Sequence, residues 1–203
     1  MTISEKIVRR IMGEESLVVR AKRRKKYNSY QGELSPAVPN LVQRDFHTDQ
    51  PNIKWLTDIT EFAIPAGKVY RSPIVDCFDG MVPAWSISES PDAKLVNDML
   101  EKAIGTLESD ETPMVHSDRG CHYRWPGWIQ RIEEAGLTRS MSKKGCTGDN
   151  AACEGFFGRL KNEMFYNKDW SGVSMFEFIQ ELNDYISWYN EKRIKMSLGN
   201  RGV

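Results

Sequence analysis

A mixed α/β layer fold is what this sequence predicts, and three observations predict it. Residues 54–64 and 68–78 are β-type runs separated by Pro65-Ala66-Gly67, the signal of a hairpin. Beyond Ala84, short β-type runs take turns with stretches of helical spacing. The order of three antiparallel strands, helix, strand, helix, strand, helix suits layers of helix on sheet. The 203 residues, 40% hydrophobic and 28% charged, suffice for one good core plus an appendage.

Residues 4–15 read as a short amphipathic helix. Ser4 can cap it, and Ile7, Ile11 and Met12 share a face. The basic run Arg20 to Lys26 follows, and residues 28–53, rich in Pro, Gly, Asn, Gln and Ser, read as an extended linker. After the hairpin, a third strand fits Ala84 to Ser88. Pro83 stands at its start because it cannot donate to a ladder. Residues 92–107 form a helix opened by Ser90-Pro91-Asp92, with Leu95, Met99, Leu100 and Ile104 apolar. Pro113 to His116 is a short buried strand that delivers Asp118. Residues 125–135 are helical and closed by Gly136, and Leu137 to Met141 is the next strand. Residues 142–149 form a loop, Asn150 to Phe165 a helix, and Ser174 to Arg193 a last, aromatic-rich helix. The expected domains are a basic arm (1–27), a linker (28–53), an α/β core (54–168) and a C-terminal helical extension (169–203).

Net charge is zero, yet residues 1–27 hold nine Lys or Arg against three acids, so the remainder is equally negative. A basic arm on such a body suits contact with a phosphate backbone, with Arg23, Arg24, Lys25 and Lys26 as the contacts. No apolar run reaches the roughly 18 residues that span a bilayer. The N-terminus also lacks the apolar stretch of a secretion signal. A cytoplasmic protein with no membrane partner is expected. Cys77, Cys121, Cys146 and Cys153 form no C-x-x-C pair and read as reduced thiols. A zinc site from His116, Cys121, His122, Cys146 and Cys153 would fit no tetrahedral pattern.

Three acids carry the chemistry. Asp58 lies in Trp55-Leu56-Thr57-Asp58-Ile59-Thr60, where Leu56, Asp58, Thr60 and Phe62 share one strand face. An acid on the core side is costly unless it is hydrogen-bonded or binds a cation. Asp118 lies in His116-Ser117-Asp118-Arg119-Gly120, at a strand end where a glycine allows close approach of a ligand. His116 reads as a core histidine. Glu154 lies on a helix whose start is marked by the capping residues Asp149-Asn150. Carboxylates from separate elements can hold Mg2+, which prefers oxygen ligands and keeps room for phosphate. Two such ions can clamp an in-line phosphoryl transfer. Lys143-Lys144-Gly145 leads into the Glu154 helix and is placed to guide a phosphodiester. Lys161, two helical turns past Glu154, could hold a phosphate as a point charge. Phe156, Phe157 and Leu160 read as core.

These phrases, with Ser140-Met141-Ser142-Lys143-Lys144-Gly145 and Asp149-Asn150-Ala151 through Glu154-Gly155-Phe156-Phe157, resemble the DDE transposase and retroviral-type integrase core. Within it they resemble the second-frame (OrfB) protein of bacterial insertion sequences of the IS-three family. The 35 residues between Asp118 and Glu154, and the lysine seven after the glutamate, match that family's pattern. Tyr189-Asn190 with Arg193 resembles its C-terminal Tyr-Asn-x-x-Arg phrase, and residues 4–15 resemble a helix-turn-helix-like remnant. The resemblance implies a ribonuclease-H-like five-stranded mixed sheet flanked by helices. It implies Asp58, Asp118 and Glu154 as catalytic residues holding two Mg2+ or Mn2+ ions, with Asp58 shared by both. Water would free a 3′-hydroxyl at the element's end, and that hydroxyl would attack target DNA. The implied partners are terminal inverted repeats, target DNA, further copies of the chain, and a DNA-binding protein from an upstream frame.

The chain ends at Asn200-Arg201-Gly202-Val203, where the family continues through a Ser-Pro phrase, so it reads as cut short. A silent remnant that binds DNA or transposase subunits is therefore the alternative expectation. A stand-alone ribonuclease H would share the metal chemistry but leaves the basic arm and the Lys143-Lys144 loop without a purpose.

Overall fold

The structure, a computed structural model, describes residues 4–15 and 35–194. The chain divides into two compact units, Met1–Gln31 and Gly32–Val203. In the first, helix α1 spans Glu5–Glu14. Ser4 stands at its N-cap without a side-chain hydrogen bond, so the expected cap is positional only; its carbonyl accepts from Ile7 and Val8 at 3.0 and 3.2 Å. Arg23, Arg24, Lys25 and Lys26 lie outside the described residues.

The second unit contains a mixed sheet. Its strands are β1 (Lys54–Thr57), β2 (Thr60–Ile64), β3 (Gly67–Asp76), β4 (Ala84–Ser88), β5 (Met114–Ser117) and β6 (Thr138–Met141). β3 pairs antiparallel with β1, β2 and β4, while β1 pairs parallel with β5 and β5 with β6. Thr57 pairs with Ile74 and Thr60 with Arg71, so β1 and β2 lie along β3 in one unbroken register. Six strands thus occupy five positions, the number the sequence predicts. The single run expected over 54–64 is interrupted at Asp58-Ile59. That gap falls across from Ser72 and Pro73, and proline brings no N–H to a ladder. The Ile59 N–H turns instead to the Asp58 carboxylate.

Helix α2 (Ala93–Ile104) starts at Asp92, whose carboxylate accepts from Leu95 N at 2.9 Å. Helix α3 (Pro126–Glu134) has proline in its first turn, where a missing N–H costs nothing. Gly136 closes it at φ 66°, a left-handed position that suits glycine. Helix α4 (Ala151–Leu160) begins where expected but ends early. Residues Lys161–Phe165 form a π-helical turn, with Tyr166 N donating to Lys161 O at 2.8 Å. Helix α5 (Met175–Glu191) opens on a capping box between Ser174 and Glu177, worth about 1 kcal/mol.

Alternation along the strands sorts the side chains onto two faces. Leu56, Phe62, Val69 and Val75 join Cys153, Phe156, Phe157 and Leu160 of α4 and Phe178, Leu182, Ile186 and Tyr189 of α5 in one core. Leu95, Met99 and Leu100 of α2 and Trp128 and Ile132 of α3 are also buried, as are Trp55, Ile74 and Val115 on the alternate strand positions. Asp58 and Asp118 fall on the α4 side. The Tyr-Asn-x-x-Arg phrase has a mechanical role. Asn190 exchanges two hydrogen bonds with the backbone of Val82, at 3.0 and 2.9 Å, and Arg193 pairs with Glu163 of the π-turn at 2.7 Å. Arg71 is fully buried in the first core, its guanidinium 5.4 Å from the Phe156 ring centre. Such a contact is worth about 2 kcal/mol, less than the several kcal/mol of desolvation, and burial accordingly lowers its pKa to about 9.

The described part of the stretch read as a linker, 35–53, has neither helix nor strand, yet it is docked on the sheet. Met141 N donates to Pro39 O at 3.3 Å, Leu41 N to Ser140 Oγ at 2.9 Å, and Val42 is 2% exposed.

Candidate active site

The parallel pairing of β1 and β5 builds the first half of the site. Thr57 is paired with Ser117, so the next residue on each strand is an acid, Asp58 and Asp118, on neighbouring chains running the same way. Both continue the face of Leu56 and His116, which α4 covers, and α4 carries Glu154 in its first turn. The three acids line one cleft of about 300 Å3 with Arg119, Lys143 and Lys144. A second cleft shares Asp58 and Asp118 but is walled by Glu61, Tyr70, Pro91 and His122.

Each acid is held differently. Asp58 Oδ1 accepts from Ile59 N at 2.7 Å and Oδ2 from Asn150 Nδ2 at 3.0 Å. Burial, aided by the charges of Asp118 and Glu154, pushes its carboxyl up to about 7 despite those hydrogen bonds. Asp118 Oδ1 accepts from Gly120 N at 2.8 Å. A Cβ on Gly120 would stand 2.8 Å from that oxygen, so the glycine serves the carboxylate turn itself rather than the approach of a ligand. Glu154 is exposed.

The donor set fits a hard divalent cation: three carboxylates in one cleft, one of them raised by burial and then by its like-charged neighbours, is an arrangement that a cation relieves. Among the described residues no three His, Cys, Asp or Glu side chains are grouped as placed to hold one ion.

Asp149 and Asn150 mark the start of α4 as expected, but neither caps it. Asn150 makes no side-chain cap and reaches Asp58 instead, a role the sequence reading missed. Asp149 points the other way, to Lys143 N at 2.9 Å. His116 is buried as expected of a core histidine. Its Nε2 lies 2.9 Å from the Asp149 carbonyl, which can only accept, so Nε2 carries the proton and Nδ1 accepts from Ser140 Oγ at 2.8 Å. Burial lowers its pKa. All four cysteines are free. Lys161 is half-buried with Nζ 5.4 Å from the Phe62 ring centre, and it does not line the acidic cleft. Arg119, which does, carries no signal of its own in the sequence beyond its place in the Asp118 phrase.

Residues 48–146 match the family described as integrase core domain, and residues 154–201 match a second family of the same description. A probable transposase for insertion sequence element IS1353 of Shigella flexneri is 62% identical over 99% of this chain, which spans 39% of that protein. A putative transposase, InsK, for element IS150 of Escherichia coli (strain K12) is 43% identical over 97% of this chain and 68% of that protein. Among solved structures, a simian T-cell lymphotropic virus intasome matches with a TM-score of 0.63 at 18% identity, over 83% of this chain and 56% of that one. The HTLV-2 integrase catalytic core in complex with magnesium matches with a TM-score of 0.56 at 16% identity, over 76% of this chain and 94% of that one. The sheet and its helices are therefore the ribonuclease-H-like fold of integrase cores. The chain belongs to the insertion-sequence transposases built on an integrase core, the family that includes the IS3 and IS150 proteins.

Proposed function

We propose that the chain is the catalytic core of a DDE-type DNA strand transferase that cuts and joins the ends of an insertion sequence. One observation carries this reading: Asp58, Asp118 and Glu154, far apart in sequence, line one cleft whose other wall is the basic loop Lys143-Lys144. Asp58, Asp118 and Glu154 would hold two Mg2+ or Mn2+ ions, whose charge steadies the attacking and leaving oxygens of an in-line displacement. Asp58, whose carboxyl feels both other acids, would be one of the ligands. Lys143, Lys144 and Arg119 draw the phosphodiester into the cleft and balance its charge. Asn150 orients Asp58. In the first step water attacks phosphorus and the 3′-oxygen of the element end leaves. In the second that 3′-hydroxyl attacks a phosphorus of target DNA, and the target strand's own 3′-oxygen leaves.

The Arg23 to Lys26 cluster of the arm adds phosphate contacts, and Lys161 adds one beyond the cleft. The partners are terminal inverted repeats and target DNA in the bacterial cytoplasm, further copies of the chain on that DNA, and an upstream-frame DNA-binding protein. Among the described residues no helix is long and apolar enough to cross a membrane.

Incubation of the full chain with labelled duplexes carrying the element's ends tests this. Cleavage that requires Mg2+ or Mn2+ and falls to background in Asp58→Asn, Asp118→Asn and Glu154→Gln is expected. Equal activity in the wild type and Glu154→Gln would sink the proposal. Tight DNA binding without cleavage by the wild type would favour the silent-remnant reading instead.

A further inference from the structure

Asp149 is buried, at 3% exposure, between two chain segments about a hundred residues apart. Its Oδ1 accepts from Arg44 Nε at 2.8 Å. Its Oδ2 accepts from Asn40 Nδ2 at 2.8 Å and from the backbone N–H of Lys143 at 2.9 Å. The Lys143 bond first, and Arg44 next, hold this carboxyl down to about 2. Behind it, the Asp149 carbonyl is fixed by His116.

The strap 39–44 is shaped for this contact. Asn40 Oδ1 takes the Gln43 N–H at 2.8 Å, and Gln43 and Arg44 adopt φ of 51° and 67°. Side chains other than glycine seldom adopt that left-handed region, and strain of this kind persists where surrounding contacts over-determine it. The Arg44 guanidinium also lies close over Gly148, where an added Cβ would meet its Cζ at 3.3 Å. The same carboxylate therefore holds the strap on one side and the first residue of the basic loop on the other.

We propose that Asp149, Arg44 and Asn40 form a positioning clasp, through which the strap ahead of the sheet sets the Lys143–Gly145 loop over the acids. Capture of a phosphodiester by Lys143 and Lys144 depends on it. This rests on the reading of the cleft as a DNA-strand site. The clasp residues do not touch the reacting atoms; they act through the loop.

Asp149→Asn gives a test by sign. Removing a negative charge beside a basic loop strengthens binding of a polyanion on electrostatics alone, whereas a slackened loop weakens it. The full chain would be titrated with a fluorescein-labelled DNA duplex of arbitrary sequence, without divalent metal. Asp149→Asn and Arg44→Ala should each bind about tenfold more weakly, the scale of one hydrogen bond to a charged group. Arg44→Lys should restore part of the loss. Lys143→Ala should cost little further in the Asp149→Asn background, because coupled residues are not additive. Cys146, free and lining the cleft within the same loop, is a reporter that needs no DNA. Its alkylation, followed by peptide mass, should quicken about tenfold in Asp149→Asn, which keeps the Arg44 cation beside the thiol, if one such hydrogen bond governs loop opening. Binding by Asp149→Asn as tight as wild type or tighter, or unchanged Cys146 alkylation, overturns the clasp. If Lys143→Ala leaves wild-type DNA binding intact, the cleft reading fails, and the alkylation rate still decides whether the clasp orders the loop.

Discussion

Asp58 and Asp118 stand on neighbouring parallel strands, each with one carboxylate oxygen pinned by a nearby backbone N–H at 2.7 and 2.8 Å. Glu154 stands exposed on the first turn of α4, which is reached through the loop 142–150. The pair is set by the register of the sheet, which cannot slip by one residue without turning a whole face inside out. The third acid is set by one turn of helix and the loop before it. Ions held by these acids would meet two side chains set by the sheet and one set by a helix turn. Asn150, at the head of α4 and bonded to Asp58, is the bridge between the two halves.

The fixed half should break most sharply. Gly120→Ala puts a Cβ 2.8 Å from Asp118 Oδ1 and must displace that carboxylate. Strand cleavage should fall about a hundredfold, at the upper end of losses from groups that orient ligands. The melting temperature should stay near wild type, because the residue lies in a loop. Coincident loss of fold and activity would refute the carboxylate-turn explanation.

Cutting the bridge should cost less. Asn150→Ala removes the amide from Asp58, and about a tenfold rise in the Mn2+ concentration needed for half-maximal binding, read by titration of the metal alone, is expected. An unchanged titration would mean that the amide does not orient the acid.

The last effect is read in stability rather than in activity, and concerns pH. The Asp58 carboxyl, raised from 3.8 to about 7, keeps its proton in the folded chain where the unfolded chain has lost it. It therefore makes the metal-free fold less stable as pH rises from about 4 to 7, by at most about 1.4 kcal/mol per unit. His116, whose pKa burial lowers, works in the opposite direction below its ordinary 6.5. The contribution of Asp58 is thus the difference in pH slope between the wild type and Asp58→Asn, measured by thermal unfolding in chelator. Equal slopes would show that Asp58 is not raised.

Much of this was legible in the chain. Leu56, Asp58, Thr60 and Phe62 share a face by strand periodicity, and the short phrases around the three acids point to metal chemistry before any coordinates. What stayed hidden depends on partners distant in sequence. Asp149 and Asn150 have the composition of helix caps, yet their side chains are spent on residues 105 and 92 positions away. The strap reads as a linker because its docking is mostly polar and backbone-mediated, and one buried valine, Val42, makes no apolar period to detect. The break at Asp58 needs Pro73 opposite it, which only the hairpin register reveals. Nothing in a run of apolar residues announces that Arg71 lies fully buried within it.

The strap has a consequence for handling the protein. β6 is paired on one side only, with β5, and four residues of unpaired edge are a template for another chain. Pro39 and Leu41 occupy that edge by bonding Met141 N and Ser140 Oγ. A fragment trimmed to start at the first strand would keep every acid of the site and yet bare this edge. That edge would then be open to pairing with another chain, so the segment ahead of the sheet also serves as its cover.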